Sequence, residues 1–230
     1  MQLPDIDILY EDNHLIIVNK PYGILTISDV TGDKSLLDIV KEYVKIKYNK
    51  PGAVFLGCVH RLDRPVSGVI VFARTSKALE RMNELFRNRE TKKFYLAIVK
   101  NAPPEEKGTL VHYLVKNHEK NVTKAFKTEI PKSKRAELEY QLMGQSDHYY
   151  LLKIRLKTGR HHQIRSQLSA IGCPIKGDLK YGFGRTNPEA NISLHSYLLE
   201  FVHPVKNIPV AVECYPKKGD VLWGHFKDCV

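Results

Sequence analysis

The sequence contains few cysteines and no long hydrophobic run. Its four cysteines lie far apart and include no C-x-x-C pair, which argues against a structural zinc site and against a disulfide-stapled scaffold. No apolar run approaches the roughly 18 residues that a membrane span needs. Residues 1–7 have neither the basic nor the apolar region of a signal peptide. We therefore expect a cytoplasmic protein with reduced thiols.

Motifs for common cofactors and hydrolytic centres are also missing. The chain contains no G-x-x-x-x-G-K-[ST] phosphate loop, no H-E-x-x-H zinc motif and no G-x-S-x-G nucleophile elbow. Gly182 and Gly184 lack the third glycine of a dinucleotide-binding turn. We therefore expect neither a metal nor a cofactor, and the sequence remains compatible with an RNA enzyme that needs neither.

Positive charge is what the chain has in excess. Its 36 Lys and Arg against 25 Asp and Glu give a formal net charge of +11. This balance favours a polyanionic partner such as nucleic acid, although a ribosome-rich cytoplasm also selects basic proteins. Residues 151–185 hold eight Lys or Arg and a single acidic residue, Asp178. We expect this block to contact RNA phosphates, the alternative being a solvated basic surface.

The hydrophobic pattern predicts many short strands and few helices. One helix is expected over residues 35–48, capped by Ser35 with Asp38, a second after Thr75 or Ser76, and a third between Thr158 and Gly172. Strands are expected at 6–10, 15–18, 69–73, 94–99, 136–142 and 149–157, with two more after residue 193. The lysine-rich residues 111–135 are expected to form a mobile hairpin or a loop. Hairpin-like spacing predicts an α+β fold with a mostly antiparallel sheet, in one domain over residues 1–230.

A carboxylate between two arginines is the most informative feature. Residues 60–68 read H-R-L-D-R-P-V-S-G and place Asp63 between Arg61 and Arg64, just before a predicted buried strand. The flanking cations would keep the carboxylate ionised, so that it could act as a nucleophile or a base. A structural ion pair is the alternative, and on chemistry alone we favour it, because structural pairs have the same character.

Four ordered motifs resemble the RluA family of pseudouridine synthases. Residues 60–68 are similar to its H-R-L-D-x-x-[TS]-S-G signature, and N-K-P-Y-G at 19–23 and K-F-Y-L-A at 93–97 are similar to two more of its motifs. The block T-G-R-H-H-Q-I-R at 158–165, followed by G-C-P-I-K-G-D and Y-G, resembles a fourth. Val66 and Gln167 depart from the family pattern at positions that do not concern the carboxylate. The chain begins about where the family's catalytic domain begins, so we expect no preceding RNA-binding module.

The resemblance implies a fold, a reaction and roles for individual residues. The implied fold is a mixed, mainly antiparallel sheet with flanking helices and a central RNA-binding cleft. The implied reaction isomerises uridine to pseudouridine in ribosomal RNA, transfer RNA or both, without a cofactor. Asp63 would be the catalytic carboxylate, Arg165 would pair with it, and Tyr95 would pack against the target base. The expected RNA-binding residues are Arg61 in the RNA stack or on a phosphate, Lys93 and Arg160 on phosphates, Lys20 on a phosphate at the rim or as a solvated lysine, and His60, which has a structural alternative.

Two other functions remain open at this point. One is an RNA-binding protein on the same scaffold without catalysis, for which the intact Asp63, Tyr95 and Arg165 would be unnecessary. The other is a glycosidic-bond enzyme that releases a free base from RNA or DNA. The oligomeric state is taken as monomeric by default.

Overall fold

The chain forms eleven β-strands and four α-helices within the residues that the computed structural model describes, namely 2–30, 32–216 and 220–230. These residues divide into two units. Unit 1 combines the chain up to residue 91 with residues 196–215, and unit 2 combines residues 92–195 with the chain from residue 216. The single domain that the sequence leads us to expect over residues 1–230 stays a prediction.

The sheet of unit 1 is built from neighbours in the order β1-β2-β4-β10, with β3 paired to β4 and β11 paired to β10. The pairs β1–β2, β2–β4, β3–β4 and β10–β11 are antiparallel, as the hairpin-like spacing predicts. The strands are β1 (Asp7–Glu11), β2 (Leu15–Lys20), β3 (Gly57–Cys58), β4 (Ser67–Ala73), β10 (Leu194–Val202) and β11 (Pro209–Glu213). The first two residues of β10 belong to unit 2.

Alternate residues of these strands form the core of unit 1 on one sheet face. Leu15 and Ile17 of β2 lie in this core with Val69 and Val71 of β4, and β10 and β11 add further apolar side chains. Helix α2 (Ser76–Asn88) covers the face with Ala78 and Met82. The period of two along each strand therefore fixes which residues are buried against the helix.

Helix ends in unit 1 follow the predicted capping chemistry. Helix α1 (Leu36–Lys47) begins after Ser35, whose hydroxyl accepts from the Asp38 N–H while the Asp38 carboxylate accepts from the Ser35 N–H. This reciprocal capping box confirms the predicted start of the helix. Thr75, one of the two predicted candidates, caps α2 by accepting from the Ala78 N–H.

Unit 2 contains a five-stranded antiparallel sheet in the order β5-β9-β8-β6-β7. Helix α3 (Gln163–Ala170) packs on β6 and β7, and Gly172 just beyond it has the left-handed backbone expected of a helix-terminating glycine. A short helix, α4 (Val221–His225), was not predicted from the sequence. The strands are β5 (Lys92–Val99), β6 (Lys107–Asn117), β7 (Val122–Phe126), β8 (Lys134–Gln145) and β9 (Tyr150–Leu156).

The lysine-rich segment 111–135 forms a hairpin over residues 111–126, as one of the two expected alternatives has it, and residues 127–133 lie outside the strands. Strands β6 and β7 pair in antiparallel register from Tyr113 opposite Phe126 to Asn117 opposite Val122. Exposed lysines such as Lys116 and Lys124 interrupt the apolar alternation and weaken the strand signal in the sequence.

Gly68 is required where β4 begins. Its φ of +112° is a backbone conformation that residues with a side chain rarely adopt. A Cβ atom at this position would also lie 2.6 Å from the nitrogen and 2.8 Å from the carbonyl carbon of Ser196 in β10. Both the backbone conformation and the close approach of β10 therefore need glycine.

We expect Gly68→Ala to destabilise the protein by about 3 kcal/mol or more, because overpacking adds to backbone strain. Chemical denaturation monitored by circular dichroism measures the change. Gly52→Ala is the matched control, since a Cβ there meets nothing within 4 Å and no left-handed φ is involved. Equal effects of the two substitutions would contradict this explanation of Gly68.

Candidate active site

Asp63 lies in the loop that connects β3 to β4, in unit 1. The side chain is half-buried, between buried Leu62 and exposed Arg64. The Asp63 carbonyl accepts a hydrogen bond of 3.0 Å from the Val66 N–H, which closes a tight turn directly after the carboxylate. Asp63 therefore has a defined backbone position in a short turn.

Hydrogen bonds from residues 23–26 fix both sides of this turn. Thr26 Oγ1 donates to the Leu62 carbonyl at 2.9 Å and accepts from the Leu62 N–H at 3.2 Å. On the other side, the Gly23 N–H donates to the Arg64 carbonyl at 2.8 Å, and Arg64 Nε donates to the Gly23 carbonyl at 2.9 Å. The N-K-P-Y-G segment and the residues after it thus form the scaffold of the H-R-L-D loop.

A buried ammonium group completes this scaffold. The Lys20 side chain is 0% exposed, and its Nζ donates to the carbonyls of Pro21 at 3.1 Å, Arg64 at 3.2 Å and Val66 at 2.8 Å. An ammonium has three donors, and each has an acceptor here. Burial lowers the pKa of Lys20 to about 7, although the nearby Asp63 carboxylate opposes this shift. The expected phosphate contact of Lys20 at the rim is wrong, because the amine has no access to a ligand.

The two residues before Leu62 have different environments. His60 stacks on Phe86 of α2 with ring centroids 5.0 Å apart, and its Nε2 accepts from the Val71 N–H at 3.2 Å. These contacts support the structural alternative for His60 over direct RNA binding. The Arg61 side chain is exposed, as its predicted insertion into an RNA stack requires.

Tyr95 and Lys93 lie on β5, in unit 2. Tyr95 is 7% exposed and lies opposite Ile154 of β9, so it forms part of a buried apolar surface. Lys93 is half-buried, and burial lowers its pKa. Its Nζ lies next to Gly159, 3.7 Å from where a Cβ would be. This places Lys93 beside the T-G-R segment of residues 158–160.

Arg165 forms a buried bidentate ion pair with Asp178. The two side chains are about 5% and 1% exposed, and Nε and Nη2 donate to Oδ2 at 2.6 Å and Oδ1 at 2.8 Å. The guanidinium also lies over the Tyr181 ring, with 4.9 Å from Cζ to the ring centroid. These contacts fix the orientation of Arg165 in α3. The pairing of Arg165 with Asp63 stays a prediction.

A polar network surrounds the Tyr181 hydroxyl. It accepts from the Thr123 N–H at 2.8 Å and is 2.8 Å from Nδ1 of His162. The His162 ring stacks on His161 at 3.8 Å between centroids, and His161 Nδ1 is 2.8 Å from the Thr123 hydroxyl. Burial raises the pKa of Tyr181, so the phenol remains protonated near neutral pH.

Arg160 is exposed at the turn before α3, as a phosphate contact requires. Its N–H donates to Oε1 of Gln163 at 3.0 Å, and Gln163 Nε2 donates to the Glu137 carbonyl at 3.0 Å. Thr158 Oγ1 also donates to Gln163 Oε1, at 2.8 Å. Thr158 and Gln163 therefore tie the turn to β8 and determine where Arg160 is presented.

In unit 1, Asp63 lies near Lys20 and next to Arg64. In unit 2, Lys93 lies beside Gly159, and Arg165 is held by Asp178. Sequence reasoning assigned no role to Asp178, although it is the single acidic residue of a basic block and therefore a natural partner for a buried arginine.

Within the described residues, no group of three or more His, Cys, Asp and Glu side chains is arranged to hold a metal ion. In this same part of the chain, no helix is long and apolar enough to cross a membrane.

The profile of the RNA pseudouridylate synthase family matches residues 14–170. This range contains Asp63, Tyr95 and Arg165, and it covers more than half of the chain. The chain belongs to the RNA pseudouridylate synthase family, a class of isomerases.

Curated relatives agree with this assignment, and a solved structure shares the fold. Ribosomal large subunit pseudouridine synthase D of Borreliella burgdorferi is 30% identical over 96% of this chain and 68% of that protein. Ribosomal large subunit pseudouridine synthase C of Buchnera aphidicola is 36% identical over 86% of this chain. The chain spans only 63% of the length of that second relative. Human RNA Pseudouridylate Synthase Domain Containing 4 shares the fold, with a TM-score of 0.78 and 24% identity over 95% of this chain and 92% of that one.

We expect Lys20→Met to lower the free energy of unfolding by about 1–3 kcal/mol, because three buried carbonyls lose their donor. The pKa of Lys20 is about 7 in the fold against an ordinary value of 10.5, so the unfolded chain binds more protons between these values. The wild type should therefore gain stability relative to Lys20→Met as the pH rises from about 7 to about 9. Urea denaturation at several pH values measures this, with exposed Lys34→Met as the control. A constant difference between wild type and variant would contradict the assigned pKa.

Removing the carboxylate charge at Asp178 should destabilise the protein by about 3 kcal/mol or more, because Arg165 would remain as an uncompensated buried cation. The measurement is denaturant unfolding of Asp178→Asn. Glu139→Gln is the matched control, since Glu139 pairs with Arg155 and Lys157 at a partly exposed site and should matter by less than about 1 kcal/mol. The account of the Arg165 pair fails if the two variants are equally stable.

Proposed function

We propose that this chain isomerises specific uridines of ribosomal RNA to pseudouridine, with Asp63 as the catalytic carboxylate and without a cofactor. The observation that carries the proposal is the construction of the Asp63 loop. Lys20, Gly23 and Thr26 hold the backbone on both sides of one half-buried carboxylate. A loop that only paired surface charges would not need this degree of fixation.

The reaction fits a site built from a carboxylate and cations. The bond between N1 of uracil and C1′ of ribose breaks, the base turns, and a bond forms between C5 and C1′. The hydrogen on C5 leaves as a proton, N1 gains a proton, and no electrons are exchanged with a redox partner. A positioned carboxylate can serve this sequence as a nucleophile or as a base.

The remaining site residues have complementary proposed roles. Tyr95, on the buried surface of β5, would pack against the target base, and Arg165 would orient Asp63. Arg61, exposed beside Leu62, would take the place of the flipped nucleotide in the RNA stack. Lys93 and Arg160 would contact phosphates on either side of Gly159.

Ribosomal RNA is the proposed substrate because the two curated relatives described above are named ribosomal large subunit pseudouridine synthases. The chain spans less than two thirds of the length of the second relative, so substrate choice is part of the proposal. The net charge of +11 supports a structured RNA partner, with transfer RNA as the second candidate. We further propose a cytoplasmic location and a monomeric enzyme.

Asp63→Asn should abolish isomerisation, with a loss of at least about 100-fold, because the amide can act neither as a base nor as a nucleophile. Tritium release from ribosomal RNA labelled at C5 of uridine measures the reaction directly. RNA affinity should stay at the wild-type level, since Asn keeps the shape of the side chain. Asp33→Asn is the matched control, because exposed Asp33 pairs with Arg64 beside the same loop and should leave activity unchanged.

The outcomes separate the candidate functions. Release by the wild type and by Asp33→Asn but not by Asp63→Asn supports the proposal. Release by the wild type and by both variants would overturn the role of Asp63. Binding of RNA without release by any of them would favour a non-catalytic RNA-binding protein, and appearance of free uracil would favour a glycosidic-bond hydrolase.

A further inference from the structure

A depression of about 380 Å³ lies on unit 2, on residues that have no role in the reaction described above. It is open to solvent and falls in the size range of small-molecule sites. Its lining combines aromatic side chains, cations and glycine backbone. The lining residues are Lys100, Tyr149, Pro174, Gly182, Phe183, Gly184 and Arg185.

Two aromatic rings provide its stacking surface. Tyr149 and Phe183 are nearly parallel, with 28° between their planes and 6.5 Å between centroids. This separation is near the upper end of the range for interacting aromatic rings, so the two rings are only loosely stacked on each other. Phe183 is buried and forms the floor, whereas Tyr149 is half-buried.

Cations and open backbone complete the depression. Lys100 and Arg185 are exposed, and Lys100 Nζ lies over the Tyr149 ring at 5.4 Å from its centroid. A Cβ added at Gly182 or Gly184 would meet no atom within 4 Å. Gly184 has no left-handed φ that would require glycine, so the missing side chain leaves space in front of the backbone.

Hydrogen bonds hold the parts of the depression in place before any ligand arrives. The Lys100 N–H donates to the Pro174 carbonyl at 3.0 Å, and the Ser146 N–H donates to the Tyr149 carbonyl at 2.8 Å. The Phe183 N–H donates to the carbonyl of Asp178 at 3.1 Å, and the carboxylate of Asp178 binds Arg165. The depression is therefore braced by the same residue that orients Arg165.

We propose that this depression binds one unpaired nucleotide of the substrate RNA, with its base on Tyr149 and Phe183 and its phosphate at Lys100 and Arg185. The inference rests on the proposed function for the identity of the RNA. Aromatic rings that stack on bases, beside cations that bind phosphate, are how proteins hold single-stranded nucleotides. Stacking on Tyr149 requires the Lys100 amine to move off the ring, which frees it for a phosphate.

The affinity of a fluorescein-labelled oligouridylate of about twelve nucleotides tests the proposal by fluorescence anisotropy. Tyr149→Leu should weaken binding by about fivefold or more, because it removes stacking but keeps bulk. Tyr149→Trp should keep the wild-type affinity, and Gly184→Leu should weaken binding because its side chain fills the open space. Tyr48→Leu is the matched control, since the Tyr48 ring, like that of Tyr149, lies beneath a cation, here Arg74, but belongs to unit 1.

Thermal melting of each variant establishes that it is folded. If Gly184→Leu does not fold, the comparison of Tyr149→Leu with Tyr149→Trp tests the proposal by itself. Equal affinities of Tyr149→Leu, Tyr149→Trp and wild type would overturn the nucleotide site, as would equal losses for Tyr149→Leu and Tyr48→Leu. Tritium release from ribosomal RNA by the wild type is measured in parallel. Its absence would overturn the proposed function, while a Tyr149-dependent affinity would still support the nucleotide site.

Discussion

The buried ammonium of Lys20 is the interaction on which the candidate site depends most. A carboxylate can be aimed at a substrate only if the backbone beneath it is fixed, and Lys20 ties the Arg64 and Val66 carbonyls beside Asp63 to the end of β2. Burying a cation is unfavourable unless its donors are satisfied, and here all three have carbonyl acceptors. Lys20 thereby fixes the position of the backbone that carries Asp63.

Unit 2 uses a buried charge in a comparable way. Asp178 holds the Arg165 guanidinium through two hydrogen bonds, and its backbone also anchors Phe183. Tyr181 lies against the Arg165 guanidinium, and its hydroxyl contacts His162 and Thr123. The basic block 151–185 is thus more than a charged surface, because its buried members hold the segments that carry the exposed side chains of Arg160 and Arg185.

Features encoded locally could be predicted from the sequence, and features that depend on distant contacts could not. The capping box at Ser35, the α3 stop at Gly172 and the alternating pattern of β9 each depend on a few adjacent residues. The family resemblance led us to expect Lys20 at the rim, with a solvated lysine as the alternative. Its burial results from contacts with Arg64 and Val66, 44 and 46 positions further along the chain. The family resemblance singled out Asp63 and Arg165. Only the fold shows that Lys20 supports the Asp63 loop and that Asp178 holds Arg165.

The most direct test of the central claim is a map of pseudouridines in ribosomal RNA from cells that lack this chain. Carbodiimide modification followed by reverse transcription locates each pseudouridine as a stop. The account predicts that at least one stop disappears in the absence of the protein, returns with the wild-type chain and does not return with Asp63→Asn. An unchanged map, or recovery of the stop by Asp63→Asn, would contradict it.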